Sequence, residues 1–301
     1  MDEWTETGRG FINTWECDEN EHLNVQFFVA KKDEADAHLR LALGLAPFNV
    51  GGGVHVRRDF DHIRFHGELR IADMVAMRSG IVDWQTSHAI VVHELRRLPS
   101  LDLCATFRAR WQAVDGEGNV RAWLDASASR AAPLRVALPE DAAPRSVGKD
   151  DAQADPTLAD AEGLMTTYRG IVLPDHCDAT GTMTPRYHMA RFSDAAAHVW
   201  TAAGVDYAQS WTAEVGTVAL EDMIHYRRPL RSGDALVIKS YIREVARKTL
   251  GFNHLLFDAA SGKLAAIVEV TSAMFDLKGR RVLPLDYAVR RRLERQAVKF
   301  A

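Results

Sequence analysis

The sequence contains little cysteine, and this limits what can hold the chain together. Only 3 cysteines occur in 301 residues, Cys17, Cys104 and Cys177, and they lie far apart in the sequence. So few thiols exclude a disulfide framework, and their spacing lacks the close pairs that zinc sites use. We therefore expect a reducing compartment and no metal site.

A basic excess and a long apolar run are also missing. The formal net charge is -4, which argues against a dedicated nucleic-acid-binding or anionic-membrane-binding protein. No apolar stretch approaches the ~18 residues of a membrane span. The first residues, Met1 to Trp4, are acidic and are not followed by the apolar core of a signal peptide. These absences predict a cytoplasmic protein that binds neither nucleic acid nor membrane.

An internal repeat is the most informative feature that the sequence does contain. Cys17-Asp18 recurs as Cys177-Asp178, an offset of 160 residues that holds through the following helix pattern and then slips to 161. A length of 301 residues with ordinary composition favours two domains. We predict one domain in residues 1–132, its copy in residues 164–301, and a Pro-rich linker over residues 133–163.

Each copy has the same predicted order of elements. A short strand and a polar turn precede a helix, which begins at Asn24 in copy one and at Thr184-Pro185 in copy two and ends at Gly44 and Gly204. In the second helix Met189, Phe192, Ala196 and Val199 recur at helical spacing. Alternating apolar and polar residues then predict a series of antiparallel strands. The pattern indicates an α+β fold in which a sheet packs against one helix.

The duplicated aspartates, Asp18 and Asp178, precede the two helices by six residues. A carboxylate there lies close to the N–H groups of a helix N-terminus, which stabilise a developing oxyanion. The aspartate would act as general base for water, or as nucleophile, on a carbonyl. The alternative is an ordinary turn or capping aspartate, which the recurrence in both copies makes less favourable.

The loop Trp15-Glu16-Cys17-Asp18-Glu19-Asn20-Glu21-His22-Leu23-Asn24 resembles the D-x-x-G-H-[LM]-N loop of hotdog-fold acyl-CoA thioesterases of the 4-hydroxybenzoyl-CoA thioesterase type. Asp175-His176-Cys177-Asp178-Ala179-Thr180-Gly181 keeps part of that pattern, and the segment from Ile224 to Asp234 resembles the family's strand after the helix. The resemblance implies two hotdog units in tandem, each an antiparallel sheet wrapped around a central helix, that hydrolyse an acyl-CoA without a cofactor.

Carried over to this sequence, the family pattern makes Asp18 and Asp178 the catalytic carboxylates. His22 and Asn24 fall on positions that shape the acyl pocket, and Thr182 and Thr184 are their counterparts in copy two. Copy one departs from the pattern at Glu21, where glycine is usual. Because copy two lacks the histidine and the asparagine, we predict that copy one is the working site.

Further candidates rest on residue type and strand position. Four arginines could bind the phosphates of coenzyme A through bidentate contacts, or could simply be solvated strand ends; they are Arg57, Arg58, Arg227 and Arg228. Glu221 and His62 are predicted to lie on strands bordering the pocket.

Two other matched pairs are interpreted as structural. Cys17 and Cys177 have no repeated histidine close in sequence that would lower their pKa. His93 and His254 lie within strand patterns, where a hydrogen-bonded core histidine is the simpler interpretation.

Two other functions stay open on the same fold. Asp18 to His22 superficially resembles a D-x-N-x-x-H hydratase pattern but is one residue short and is absent from copy two. A non-catalytic acyl-thioester sensor is the third possibility. The acyl group is not predicted, and the chain could form a homo-oligomer.

Overall fold

The computed structural model describes residues 4–148, 155–206 and 214–297. The described residues form two compact units. Unit 1 holds those up to Pro144 together with Asp178–Gly181, and unit 2 holds the others. The main division therefore falls inside the predicted linker, and the domain limits at residues 132 and 164 stay a prediction.

Unit 1 is an antiparallel sheet with a long helix. Its elements are β1 (Thr5–Phe11), α1 (Val25–Ala42), β2 (His55–Phe65), β3 (Met74–Trp84), β4 (His88–Leu98), β5 (Leu103–Val114) and α2 (Asp125–Ala131). The strand order is β1-β3-β4-β5-β2, and every pairing is antiparallel. The helix α2 was not predicted from the sequence.

Unit 2 repeats this plan. Its elements are β6 (Met165–Ile171), α3 (Pro185–Ala202), β7 (Val215–Tyr226), β8 (Ala235–Val245), β9 (Leu250–Asp258), β10 (Leu264–Asp276), β11 (Arg281–Val282) and α4 (Tyr287–Gln296). The order β6-β8-β9-β10-β7 matches that of unit 1, with the short β11 paired to β10. The predicted α+β class and the internal duplication are confirmed.

Asn24 caps α1 as predicted and a glycine follows each central helix, whereas Thr184 makes no side-chain capping bond at the start of α3. Asn24 Oδ1 accepts a hydrogen bond from the N–H of Gln26 at 3.0 Å. Just beyond the helix ends, Gly44 has φ of +72° and Gly204 has φ of +93°, and this left-handed backbone favours glycine. Phe192 and Val199 are buried as expected, whereas Ala196 is partly exposed.

Part of the predicted linker packs against the sheet of unit 1. Val136 and Ala142 are buried in a cluster with Val92 of β4. A Cβ atom on Gly80 would lie 2.5 Å from Val136 Cγ2, so this contact requires glycine at position 80. The linker segment therefore belongs to the folded structure.

A chain of three buried polar side chains recurs in the two sheets. The threonine hydroxyl lies 2.5 Å from the serine Oγ in both units, and the serine Oγ lies 2.6 Å from histidine Nδ1 in unit 1 and 2.5 Å in unit 2. The members are Thr7, Ser79 and His93 in unit 1 and Thr167, Ser240 and His254 in unit 2. The interpretation of both histidines as core residues is supported.

Across the described ranges, no helix combines the length and the apolar character required for crossing a membrane.

Candidate functional site

Asp18 lies in a tight loop that its own groups help to close. Its N–H donates to the carbonyl of His22 at 2.8 Å, and its carbonyl accepts from the N–H of Glu21 at 3.0 Å. Its Oδ1 accepts from the N–H groups of Asn20 at 2.9 Å and His22 at 3.3 Å. The aspartate therefore does have a turn-forming role, and it uses one carboxylate oxygen for it.

The departure at Glu21 leaves this loop conformation intact. Glu21 has φ of +59°, and Gly181 at the matching position of copy two has φ of +76°. Both residues occupy the left-handed region, which costs a non-glycine residue some strain. Copy one thus keeps the turn without the usual glycine.

Burial makes Asp18 a stronger base than an ordinary aspartate. Loss of hydration raises its pKa to about 6, and the nearby charge of Glu19 adds to the effect. At neutral pH the carboxyl is mostly ionised, yet its proton affinity is well above that of a solvated aspartate. A raised pKa of this kind suits a general base.

The second loop holds Asp178 in a similar turn. Asp178 Oδ1 accepts from the N–H of Thr180 at 2.8 Å and from its hydroxyl at 2.6 Å. The segment Asp178–Gly181 belongs to unit 1, which also contains the buried Arg40 of α1. Burial lowers the pKa of Arg40 to about 10, while the charges of Asp36 and Asp178 raise it. Asp178 therefore lies within electrostatic reach of a guanidinium.

The predicted pocket-shaping residues support the loops and helix starts. His22 is buried, with Nε2 3.7 Å from Glu68 Oε2. The Asn24 side chain caps the N-terminus of α1. In copy two, Thr182 keeps the backbone bridge that His22 makes in copy one. Thr184 precedes α3 without a side-chain capping bond.

The two central helices differ at their first residue. The N–H of Gln26 is taken by the Asn24 side chain, and the N–H of Phe27 by the Asn24 carbonyl. Among the described residues, the N–H of Val25 has no acceptor. The matching residue of α3 is Pro185, which has no N–H. The difference between Val25 and Pro185 is visible in the sequence. The structure adds that the N–H of Val25 is not used by the helix, so copy one has a backbone donor at this position and copy two does not.

The four candidate arginines lie in different surroundings. Arg57 is exposed, with Nε 3.3 Å from Asp59 Oδ1. Arg58 Nη1 lies 2.7 Å from Asp33 Oδ1, and Nη2 pairs with Asp36, so Arg58 is held by acidic side chains. The remaining two, Arg227 and Arg228, are 3.3 and 3.9 Å from the carboxylate of Asp155.

Glu221 and His62 are both buried. The Glu221 carboxylate accepts from the N–H groups of Arg145 and Ser146, each at 2.7 Å. These contacts give Glu221 a structural task in fastening residues 145–146 to unit 2. His62 lies fully buried within β2.

A buried ion cluster in unit 1 was not predicted from the sequence. Lys32 Nζ lies 2.8 Å from Asp36 Oδ2 and 2.7 Å from Asp61 Oδ1, and Asp36 Oδ1 lies 2.9 Å from His93 Nε2. The neighbouring cations hold the pKa of Asp36 below its usual range against the effect of burial. Lys32 and Asp36 share the buried face of α1 with Ala35 and Leu39. The four-residue spacing of Lys32 and Asp36 was the sequence feature that could have indicated this cluster.

The matched cysteines keep their structural interpretation. Each thiol lies 3.6 Å from a backbone carbonyl, that of Asn13 for Cys17 and that of Leu173 for Cys177. Burial and then the charge of Asp18 raise the pKa of Cys17, which disfavours a reactive thiolate. Within the described ranges, no group of three or more His, Cys, Asp or Glu side chains is placed to hold a metal ion.

The protein consists of two similar α+β units, each with an aspartate, Asp18 or Asp178, in the loop before its central helix. The two copies match the family described as the thioesterase-like superfamily over residues 12–145 and 172–293. The chain belongs to this family. The membership confirms the hotdog family and the enzyme class, thioester hydrolase, that were predicted from the sequence.

Individual proteins agree with this membership. A betainyl-CoA thioesterase of Pseudomonas aeruginosa is 25% identical over 131 residues, which cover 44% of this chain and 82% of that protein. The fold matches a Lactobacillus plantarum protein assigned as an oleoyl thioesterase, with a TM-score of 0.65 and 12% identity over 90% of this chain and 96% of that chain. The 12:0-ACP thioesterase of Umbellularia californica matches with a TM-score of 0.64 and 11% identity over 90% and 94%.

Proposed function

We propose that the chain hydrolyses an acyl-CoA and that copy one carries the reaction, with Asp18 as general base. The observation that carries this proposal is the raised pKa of Asp18, about 6, on a loop that leads directly into the first turn of α1. A base with this proton affinity activates water efficiently near neutral pH.

In the proposed step, Asp18 takes a proton from water as the water oxygen bonds to the thioester carbon. The carbonyl oxygen becomes an oxyanion and receives a hydrogen bond from the N–H of Val25 at the positive end of α1. The tetrahedral intermediate then expels the thiolate as the C–S bond breaks. The proton held by Asp18 passes to the thiolate, which yields a carboxylic acid and free CoA.

Copy two is proposed to lack this full set of groups. Its aspartate, Asp178, has the charge of Arg40 within reach, and its helix begins with Pro185, which cannot donate to an oxyanion. We assign Asp178 a supporting role. The turn that it forms with Thr180 is a structural contribution in its own right.

Coenzyme A is the proposed thiol carrier. The Pseudomonas relative is named for a CoA thioester, and it is similar over 82% of its own length. Small, polar acyl groups, betainyl among them, are therefore the first substrates to test, followed by longer apolar chains and by acyl groups on a carrier protein.

The test is a panel of acyl-CoAs with a thiol-reactive dye, run on the wild-type protein, Asp18→Asn and Asp178→Asn. Release of CoA by the wild type and its loss in Asp18→Asn supports the proposal. A change in double-bond absorbance without thiol release would replace it with a hydratase. Binding of acyl-CoA without any turnover would replace it with a sensor.

A further inference from the structure

Among the residues that the structure describes, unit 2 contains a buried carboxyl group with one oxygen that has no hydrogen-bond partner. Asp222 on β7 is 3% exposed, and within the described ranges its Oδ1 meets neither a hydrogen-bond donor nor a cation. His254 on β9 is 0% exposed, and its Nε2 is likewise without a hydrogen bond there. Burying polar groups without partners is costly, and each such group requires an explanation.

Both groups stand on the face of the sheet that α3 covers. The ring of Phe192 in α3 stacks on His254, with 6.0 Å between the ring centroids. His254 lies across from Val268, and Asp222 lies across from Val270, two residues along the same strand. Residues two apart on a strand share a face, so Asp222 also points toward the interior beneath α3.

In unit 1 the same two positions lie within ion-pairing distance of charged side chains of α1. Asp61 and His93 occupy the equivalent strand positions, across from Ala109 and Phe107. Lys32 Nζ is 2.7 Å from Asp61 Oδ1, and Asp36 Oδ1 is 2.9 Å from His93 Nε2. A lysine ammonium is thus the natural partner of a carboxylate in this position.

Copy two has the acid and the histidine but lacks the charged partners that unit 1 provides. At the repeat offset, Phe192 replaces Lys32, Ala196 replaces Asp36 and Ala219 replaces Arg58. Asp36 is 3% exposed, whereas Ala196 and Ala219 are partly exposed. Each alanine is therefore smaller than the charged side chain at the matching position of unit 1, and each is partly exposed to solvent.

We propose that unit 2 binds a small organic cation, an ammonium or a guanidinium, with its charge on Asp222 and the ring of Phe192 beside it. The ligand supplies the positive charge that Lys32 and Arg58 supply in unit 1. An aromatic face next to a desolvated cation adds to the attraction. This site does not depend on the proposed hydrolysis.

The surroundings of Asp222 predict that cation binding is coupled to release of a proton. Burial raises the pKa of Asp222 to about 8, and the charge of Glu221 adds to the effect. Burial also lowers the pKa of His254 to about 3, so the histidine stays neutral throughout the working range. Glu221 and Glu269 alternate to the other face of the sheet. The buried residues of α3 include Phe192, Val199 and one titratable side chain, His188, whose ring contacts Tyr226 of β7 and whose Nδ1 lies 2.9 Å from the Thr184 carbonyl. A cation therefore binds the carboxylate and displaces its proton.

The experiment is calorimetry on the full chain with n-propylammonium and methylguanidinium, and with 1-propanol as the neutral control. We expect saturable binding of the cations at millimolar concentration and at least about tenfold weaker binding of 1-propanol, the usual loss when a charge-assisted hydrogen bond is removed. Titrations in two buffers of different ionisation enthalpy should reveal release of close to one proton at pH 7. Tighter cation binding at pH 8.5 than at pH 6.5 should follow.

Two variants make the outcome decisive. Asp222→Asn keeps the shape and should weaken cation binding at least about tenfold by removing the charge. Ala219→Arg places a guanidinium where unit 1 has Arg58, so it should abolish binding and proton release while circular dichroism shows a folded chain. Equal binding of 1-propanol, unchanged binding in either folded variant, or no cation binding at millimolar concentration would overturn the proposal.

Discussion

Val25 and Pro185 occupy the same position in the two copies, the first residue of the helix that follows the loop aspartate, and only Val25 has a backbone N–H. Proline is well suited to this position because the first N–H of a helix has no partner within the helix. The substitution therefore preserves the helix while removing a donor. At this position, starting the helix and donating a hydrogen bond are therefore separate properties of the residue.

The loop carboxylates should contribute unequally to activity. Asp18→Asn keeps the oxygen that accepts from Asn20 and His22, but it cannot accept a proton from water. We expect kcat/KM to fall by the ~10²–10⁴ typical of general-base catalysis. Asp178→Asn, the matched control, should cause a smaller loss. Near wild-type activity in Asp18→Asn together with inactivity in Asp178→Asn would reverse the assignment of the working copy.

Exchanging the first helical residue tests the oxyanion donor. Val25→Pro should lower kcat by ~10²–10³, the usual effect of removing one oxyanion donor, while the circular dichroism stays that of the wild type. Pro185→Ala adds an N–H in copy two and should leave kcat unchanged or raise it. An active, folded Val25→Pro variant would show that another group stabilises the oxyanion.

The raised pKa of Asp18 sets the direction of the pH dependence. Below pH 6 the carboxyl is protonated and cannot act as base, so kcat/KM should rise about tenfold per pH unit and level off above the pKa of about 6. The same shift means that the folded chain binds this proton more tightly than the unfolded chain does. Ionising Asp18 therefore lowers stability as pH rises. A kcat/KM that is flat between pH 4.5 and 7 on the best substrate contradicts the assignment.

The ion cluster of unit 1 should be sensitive to loss of its lysine. Lys32→Met removes the ammonium from Asp36 and Asp61 and leaves Arg58 as a remaining cation. Because one guanidinium then faces two buried carboxylates, we expect a loss of up to roughly 3–5 kcal/mol of unfolding free energy. Phe192→Met, at the matching position of unit 2, replaces one apolar side chain with another and should cost less than about 1.5 kcal/mol. Urea unfolding followed by circular dichroism measures both. Similar midpoints for the two variants would mean that the lysine charge contributes little.

Catalysis should not require a metal ion. The proposed step uses a carboxylate base and a backbone donor, and these need no Lewis acid. Full thioesterase activity should persist after dialysis against excess EDTA. Activity that is lost on dialysis and restored by zinc or magnesium would refute the mechanism.

The sequence predicted those features that depend on local rules. The duplication, the caps at Asn24 and Gly44, and the strand alternation follow from spacing and residue type, and they led to the correct fold class. The loop aspartates were predicted from their recurrence. Their protonation behaviour was not, because the pKa of Asp18 depends on how much water the folded loop excludes.

Long-range pairing explains what the sequence analysis missed. Lys32 and Asp36 lie one turn apart, which on a surface helix would be an ordinary exposed pair. Only the arrangement of α1 against the sheet brings them to Asp61 and His93. Arg58 was assigned to phosphate binding or to solvent for the same reason, since its two shortest ion pairs are with Asp33 and Asp36, which lie on α1.

The duplicated Thr-Ser-His chain has a consequence for how the two halves could diverge. In each sheet it links an edge strand to the next two strands through side chains, in addition to the backbone ladder. These side-chain contacts add to the backbone ladder in fixing the strand register. Copy two has apolar residues at helix positions that carry salt bridges in unit 1, and a proline at the start of its helix, yet its strand order matches that of unit 1. With the same Thr-Ser-His chain in both sheets, the interior residues of the two units can differ in chemistry while the strands keep the same arrangement.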